Sequence, residues 1–294
     1  MTTTADGKTA FVVDRSDGIA LVTFNRPDQL NTLSRRTVVD LCDALDGLED
    51  DDSVRAIVFT GAGRAFSAGA DLSGGPGTFR DRRDGARPDG TGSDTPSRDF
   101  GGILALRLFA CTRPLVAAIN GDAVGLGVTL TLPMDVRIVA DGARFGFVFS
   151  RRGIVPEACS SWFLPRIVGI SRAIEWTTSG RLVGAAEALE AGLVRAVVPA
   201  GDVVSVASRY AAEMVEAGAP TSVAAIRNMM WHGLTQSHPV GAHRVESDLV
   251  RKLGSGPDAA EGIRAFIDKR PAQFPTPVTE GIRPFRKWWP EIAF

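Results

Sequence analysis

The sequence predicts an α/β protein, and three observations carry that prediction. Short runs of β-branched and aromatic residues alternate with longer stretches whose apolar residues recur at helical spacing. Two of the short runs, VRAIVFTG and PLVAAIN, are continuously apolar, as strands buried on both faces must be. Hydrophobic residues make up 44% of the 294, enough for one substantial core. Strands buried on both faces need helices to cover them, so layers of the two kinds are expected to interleave.

The elements follow in order. FVVDRSDGIALVTFNRP, residues 11–27, reads as two strands about a turn at Ser16–Gly18, where turn formers interrupt an alternating pattern. LSRRTVVDLCDALDGLEDDD, residues 33–52, has apolar residues at helical spacing and an acidic end, and is predicted to be a helix. VRAIVFTG and PLVAAIN are strands; residues 122–134 are predicted to be a helix, and VRIVA a further strand. Residues 73–99 are rich in Gly, Pro, Arg and Asp and nearly free of aliphatics, so a mobile loop is expected there. Beyond about residue 200 the strand signals fade, and residues 202–218, 222–234 and 258–270 read as helices. The stretch 275–294 carries Pro and Trp without a clear period.

Composition excludes several classes. A net charge of −1 gives no electrostatic case for nucleic acid or an anionic membrane surface. No apolar run approaches the roughly 18 residues of a membrane span, and the first ten residues lack the apolar core of a signal peptide. Three scattered cysteines, Cys42, Cys111 and Cys159, suggest neither a disulfide framework nor a metal cluster. The expectation is a cytoplasmic protein without a metal or a separate cofactor.

Chemistry concentrates in two small-residue turns, RAFSAGADLSGG (64–75) and GDAVGLGVTLTLPMDVRIVA (121–140), each following a predicted strand. Gly121, Gly125 and Gly127 are costly in a helix interior, by about 1 kcal/mol each relative to alanine. One reading is tight turns and close packing. The other is that two backbone N–H groups converge there on a negatively charged oxygen, one with a helix dipole behind it.

Five segments in order, NRPDQLNTLS, GRAFSAGADL, NGDAVGLGVTLTLPMDVRIVA, AGLVRAVVP and EGIRAFIDKRPAQF, resemble the crotonase superfamily, the enoyl-CoA hydratase/isomerase group, over about residues 10–274. That resemblance implies a spiral of ββα repeats in residues 1–200, with an acyl-CoA site and the 73–99 loop. It further implies a helical trimerisation region in 201–274 and a tail in 275–294. Homotrimers or dimers of trimers are expected, with an acyl-CoA thioester as substrate and its enolate held in an oxyanion hole.

The resemblance implies the N–H groups of Ala68 and Leu126 as the two oxyanion donors, with Gly125 and Gly127 letting the thioester carbonyl approach. Leu126 replaces the commoner glycine, which narrows the pocket and leaves the N–H in place. Asp71 is read as bracing its turn. Hydratases of the family carry two glutamates, at positions that align with Thr129 and Phe149 here. Neither residue removes a proton from water near neutral pH.

A carboxylate appears instead at Glu157, in IVPEACSSWFLPRIVG. A Pro-Glu pair also suits the first turn of a helix. The PEACSS segment, however, resembles the region of the catalytic glutamate in Δ3,Δ2-enoyl-CoA isomerases. The leading expectation is therefore a shift of a 3-enoyl-CoA double bond to the 2-position with Glu157 as the base. The alternatives are an enoyl-CoA hydratase and an acyl-CoA-binding protein without catalysis. Phe147, Phe149, Trp162 and Phe163 are candidate walls of the acyl pocket, with plain core as the other reading.

Arg26, Ala68 and Ala70 match positions along the nucleotide part of coenzyme A. Phe266 and Lys269 match residues that reach a neighbouring subunit's coenzyme, with an exposed helix charge the other reading of Lys269. The arginines of residues 80–87 either meet the coenzyme phosphates or are solvated. His232, His238 and His243 are read as surface or interface residues.

Overall fold

The computed structural model describes residues 9–75, 78 and 98–290. Strands β1 (Phe11–Ser16) and β2 (Ile19–Phe24) form an antiparallel hairpin about Asp17–Gly18. Both turn residues adopt positive φ, which suits the Asp-Gly pair found there. Helix α1 (Arg35–Glu49) follows, capped by the Ser34 hydroxyl, which accepts from the Thr37 N–H at 3.1 Å. Its buried stripe of Val38, Leu41, Leu45 and Leu48 confirms the predicted period.

From there the chain repeats one device. A strand of a large sheet is followed within a few residues by a strand of a small one, then by helical or turn structure. The pairs are β3 (Ala56–Gly61) with β4 (Ala65–Ser67), β5 (Leu115–Ile119) with β6 (Asp122–Val124), and β7 (Val136–Ala140) with β8 (Arg144–Gly146). Strand β9 (Leu182–Gly184) closes the small sheet, in order β4-β6-β8-β9. Strand β10 (Ala196–Val198) ends the large one, in order β1-β2-β3-β5-β7-β10. The pairs β3–β5 and β5–β7 are parallel, and so are β4–β6 and β6–β8, so each repeat steps along both sheets in the same direction. This is the expected spiral of ββα repeats.

The helices are α2 (Phe100–Phe109), α3 (Leu126–Thr129), α4 (Ser160–Val168), α5 (Ile170–Ser179), α6 (Ala185–Glu190), α7 (Val203–Val215), α8 (Pro220–Gly233), α9 (Pro239–Gly254), α10 (Pro257–Asp268) and α11 (Val278–Gly281). Strands β3 and β5 are buried at every position. Helix α7 packs across β3, β5 and β7 through Val203, Ala207, Ala211 and Val215.

The later helices build a second core of Ala224, Ala225, Leu249, Val278, Ile282 and Phe285, against which Trp288 and Trp289 pack. The Trp288 indole donates to Asp248 at 2.9 Å, so the tail is pinned to its own chain. Arg227 joins the two cores. Its guanidinium donates to the carbonyls of Leu108, Phe109, Cys111 and Pro133 and pairs with Asp135 at 2.8 Å.

One expectation is corrected. Residues 122–134 are not a single helix: Asp122–Val124 is a strand, and only Leu126–Thr129 is helical before a run of turns to Met134. The cause is at Gly121, where a Cβ would lie 2.1 Å from the Arg64 carbonyl oxygen. That contact lays the segment alongside β4, where its backbone groups join the sheet. Most of the predicted 73–99 loop, including residues 80–87, lies outside the described residues.

Candidate active site

The ends of β4, β6 and β8 deliver three turns to one edge of the small sheet, and a cavity of about 550 Å³ opens there. Its walls are mostly apolar, among them Leu72, Phe100, Leu106, Val148, Phe149, Ile154 and Val155.

The first turn, Ser67–Asp71, is tied down by the Leu30–Leu33 backbone. The Leu33 N–H donates to the Gly69 carbonyl at 2.8 Å, and the Asp71 N–H donates to the Leu33 carbonyl at 3.0 Å. Ala70, between them, lends neither of its backbone groups to this pairing, and its N–H has no acceptor among the described residues. Ala68 differs. Its N–H donates to the Leu30 carbonyl at 2.8 Å. An N–H already engaged in this way is not available to a substrate oxygen, so the expectation of Ala68 as an oxyanion donor is corrected. The available donor of this turn is Ala70.

Asp71 braces the turn as expected. It accepts from the Ser73 N–H at 2.9 Å, which holds its carboxyl below the usual range, and pairs with Arg26 at 3.4 Å. Arg26 also reaches the Thr32 carbonyl, and neither it nor Asp71 lines the cavity.

The second turn holds Gly125, Leu126 and Gly127. Gly125 has φ +54° with open space where a side chain would be, so its role is the backbone conformation. The Leu126 N–H has no acceptor among the described residues. Gly127 is needed for a different reason than expected. A Cβ there would stand 2.1 Å from the Ser67 carbonyl oxygen, so it seats the second turn on the first rather than admitting a substrate. Gly69 does the same from the other side, 2.5 Å from the Val124 carbonyl oxygen. Helix α3 is a single turn, so the second donor is a free N–H with little helix dipole behind it.

The third turn carries Phe149 and leads to Glu157. Ala158 and Cys159, next in the chain, both adopt left-handed φ, at 53° and 55°, a conformation that costs residues with a side chain. Helix α4 begins only at Ser160, so Glu157 stands ahead of the helix rather than in its first turn. The kink turns its carboxylate back into the cavity. There Oε1 lies 2.5 Å from the Thr129 hydroxyl, and Oε2 faces Gly101, where a Cβ would be 2.1 Å away. Burial pushes the Glu157 carboxyl up to about 7; the Thr129 hydroxyl opposes that rise and the nearby Asp99 charge adds to it.

Asp99 also lines the cavity, but both its oxygens are spoken for. They accept from the N–H groups of Gly101, Gly102 and Ala158 at 2.8–3.1 Å. Sequence reasoning missed Asp99 and α2, although an Asp directly ahead of Phe-Gly-Gly is a readable cap.

Of the candidate site residues, Ala68, Ala70, Gly125, Leu126, Phe149 and Glu157 line the cavity, while Gly127 and Thr129 are buried directly behind it. Trp162 does not line it. Its ring packs against Phe109 and Phe163 with Arg166 over its face at 4.0 Å. Phe163 belongs to the same cluster, and Phe147 stacks on Trp176. Phe266, 85% exposed, and Lys269, at the end of α10, lie on the outer surface. His232 is half-buried against Phe109, with burial lowering its pKa, and His238 caps α9. No helix among the described residues is long and apolar enough to cross a membrane.

Two unengaged N–H donors, one carboxylate with an oxygen to spare and apolar walls are suited to removing a proton beside a carbonyl and holding the oxyanion that results. The chain matches the enoyl-CoA hydratase/isomerase family over residues 14–277 and belongs to it. It is 37% identical over 260 residues to the enoyl-CoA hydratase ACTT3 of Alternaria alternata, covering 88% of this chain and 83% of that one. It is 33% identical over 260 residues to the 1,2-epoxyphenylacetyl-CoA isomerase of Escherichia coli, covering 87% and 95%. The solved structure of a probable enoyl-CoA hydratase/isomerase from Mycobacterium abscessus superposes with a TM-score of 0.77 at 33% identity, covering 90% of this chain and 98% of that one.

Proposed function

We propose that this enzyme moves the double bond of a 3-enoyl-CoA into conjugation with the thioester, with Glu157 as the single proton carrier. The carrying observation is that Glu157 is the one carboxylate in the cavity wall, among the described residues, whose outer oxygen has no donor. Thr129 and Phe149, at the two positions where the family's hydratases place glutamates, offer no second carboxylate.

The reaction needs little else. The thioester oxygen accepts from Ala70 N–H and Leu126 N–H, which makes the C2 proton removable by stabilising the enolate. Oε2 of Glu157 takes that proton, the electron pair moves through C2–C3, and the same oxygen returns the proton to C4. A carboxyl poised near 7 suits both halves of this exchange, since it must accept and then release a proton. The apolar walls receive the acyl chain, and Leu126 narrows the pocket beside the carbonyl.

The hydratase reading is favoured by one observation, that ACTT3 and several other relatives are named enoyl-CoA hydratases. The two readings separate on substrates. With a trans-3-enoyl-CoA, isomerisation raises the ultraviolet absorbance of the conjugated thioester; with a trans-2-enoyl-CoA, hydration lowers it. Isomerisation predicts the rise with the first substrate and little change with the second. A fall with the second and no rise with the first supports hydration.

For the assembly, we assign the exposed apolar residues Ile263, Phe266 and Ile267 of α10 to contact with further copies of the chain.

A further inference from the structure

Thr129 is fully buried behind the cavity, and its hydroxyl has two acceptors in reach: Glu157 Oε1 at 2.5 Å and the Gly125 carbonyl oxygen at 3.3 Å. A hydroxyl carries one proton and donates to one of them at a time. The Gly125 carbonyl belongs to the same peptide unit as the Leu126 N–H, the free donor at the cavity wall. A carbonyl that gains a hydrogen bond polarises its own N–H, because hydrogen bonds in a chain strengthen one another.

We infer that Thr129 is a positioning residue that couples the protonation of Glu157 to the strength of the oxyanion hole through the Gly125–Leu126 peptide. The inference rests on the reaction proposed above in needing Glu157 as the base and an enolate at that hole, and it does not need the double-bond shift. With Glu157 ionised, the hydroxyl donates to Oε1 and holds the carboxylate with Oε2 toward the substrate. When Oε2 takes the C2 proton, Oε1 becomes a weaker acceptor and the hydroxyl turns to the Gly125 carbonyl. The Leu126 N–H is thereby strengthened as negative charge arrives on the thioester oxygen. No proton leaves Thr129 and none is consumed; one O–H bond rotates, and returns when Glu157 gives its proton up.

The geometry makes the coupling specific to this hydroxyl. The lack of a side chain at Gly101 makes room for Oε2, and the Asp99 oxygens are held by backbone donors. The Val128 and Thr129 N–H groups also donate to the Gly125 carbonyl at 3.0 Å, and the hydroxyl approaches the same oxygen at 3.3 Å as a third, longer contact.

The test is exchange of the C2 hydrogens of octanoyl-CoA with deuterium oxide, which requires enolate formation and no double-bond shift. Rates are followed against pH for the unaltered enzyme, Thr129→Val and Thr129→Ser. Thr129→Val keeps the shape and loses the hydroxyl. Its apparent pKa is expected to rise, and its plateau rate above that pKa to remain about ten- to hundredfold low, with KM within about twofold. Thr129→Ser is expected to restore both. Thr129→Ala is the second variant if Val does not fold, with the same expectation for the plateau.

A Thr129→Val plateau equal to that of the unaltered enzyme overturns the inference, because the hydroxyl then acts on the ionisation of Glu157 alone. A plateau as low in Thr129→Ser as in Thr129→Val overturns it as well, since packing rather than the hydroxyl is then at fault. An unaltered enzyme that exchanges octanoyl-CoA but does not convert a 3-enoyl-CoA contradicts the proposed reaction and leaves the inference to the Thr129 comparison. One that does not exchange contradicts both.

Discussion

Glu157 holds its carboxyl about where a proton can be both taken and released, and this has a cost in stability that can be measured. Its pKa is raised to about 7 in the folded protein against 4.5 for the unhindered group. Between those values the folded state binds more protons than the unfolded one, so stability falls as pH rises through the window and is lowest above it. The difference corresponds to at most about 3 kcal/mol. Glu157→Gln is therefore expected to raise Tm at about pH 8 and to leave it nearly unchanged at about pH 4.5, as followed by calorimetry. The same substitution is expected to lower the rate about a thousandfold. Glu157 was legible in the sequence because its PEACSS segment carries the resemblance. The donor was half legible. Ala68 and Ala70 flank one glycine and look alike by residue type, and only the backbone of Leu30, more than thirty residues earlier, reveals that the Ala68 N–H is engaged.

At the scale of elements, the site is a consequence of how two turns seat on each other. Gly69 and Gly127 each face a carbonyl oxygen of the opposite turn at distances no Cβ can occupy. Gly127→Ala is expected to cost about 1–3 kcal/mol in denaturant unfolding and to reduce activity by more than the stability loss explains, because it pushes the Leu126 N–H away from Ala70. Ser34→Ala, at the start of α1 and away from the cavity, is expected to cost about 1 kcal/mol and leave the rate intact. Strong periodicity made α1, α7 and the two buried strands readable. The 122–134 segment failed the same reading because its apolar residues serve a three-residue strand, one helical turn and a packed core in succession. Its pairing with β4 is a long-range contact that no local period records. The aromatic residues beyond β8 were ambiguous for a related reason. Phe149 faces the cavity while Phe147, two residues earlier, stacks on Trp176, and the sequence does not say where the sheet ends and the turn begins.

At the scale of the molecule, the spiral places the ends of three equivalent strands at one edge, so three separate repeats bring Ala70, Leu126 and Glu157 to one cavity. The helical region is held to this core by Arg227, whose side chain is nearly fully buried among four carbonyls and Asp135. Arg227→Met is expected to destabilise the protein by about 3 kcal/mol or more, by removing the cation buried against Asp135 and the guanidinium donors of those carbonyls. The exposed row on α10 gives a test of assembly: Phe266→Asp is expected to shift a trimer toward monomers in light scattering, and a monomeric unaltered chain contradicts that assignment. The account stands most directly on one measurement, the initial rate of absorbance increase with a trans-3-enoyl-CoA from about pH 5 to about pH 9, for the unaltered enzyme and Glu157→Gln. The account predicts a rate that rises through about pH 7 to a plateau, and a variant about a thousandfold below that plateau whose rate does not follow the rise. A variant within about tenfold of the unaltered enzyme at the plateau, or an unaltered rate flat through neutral pH, contradicts a mechanism carried by one carboxylate.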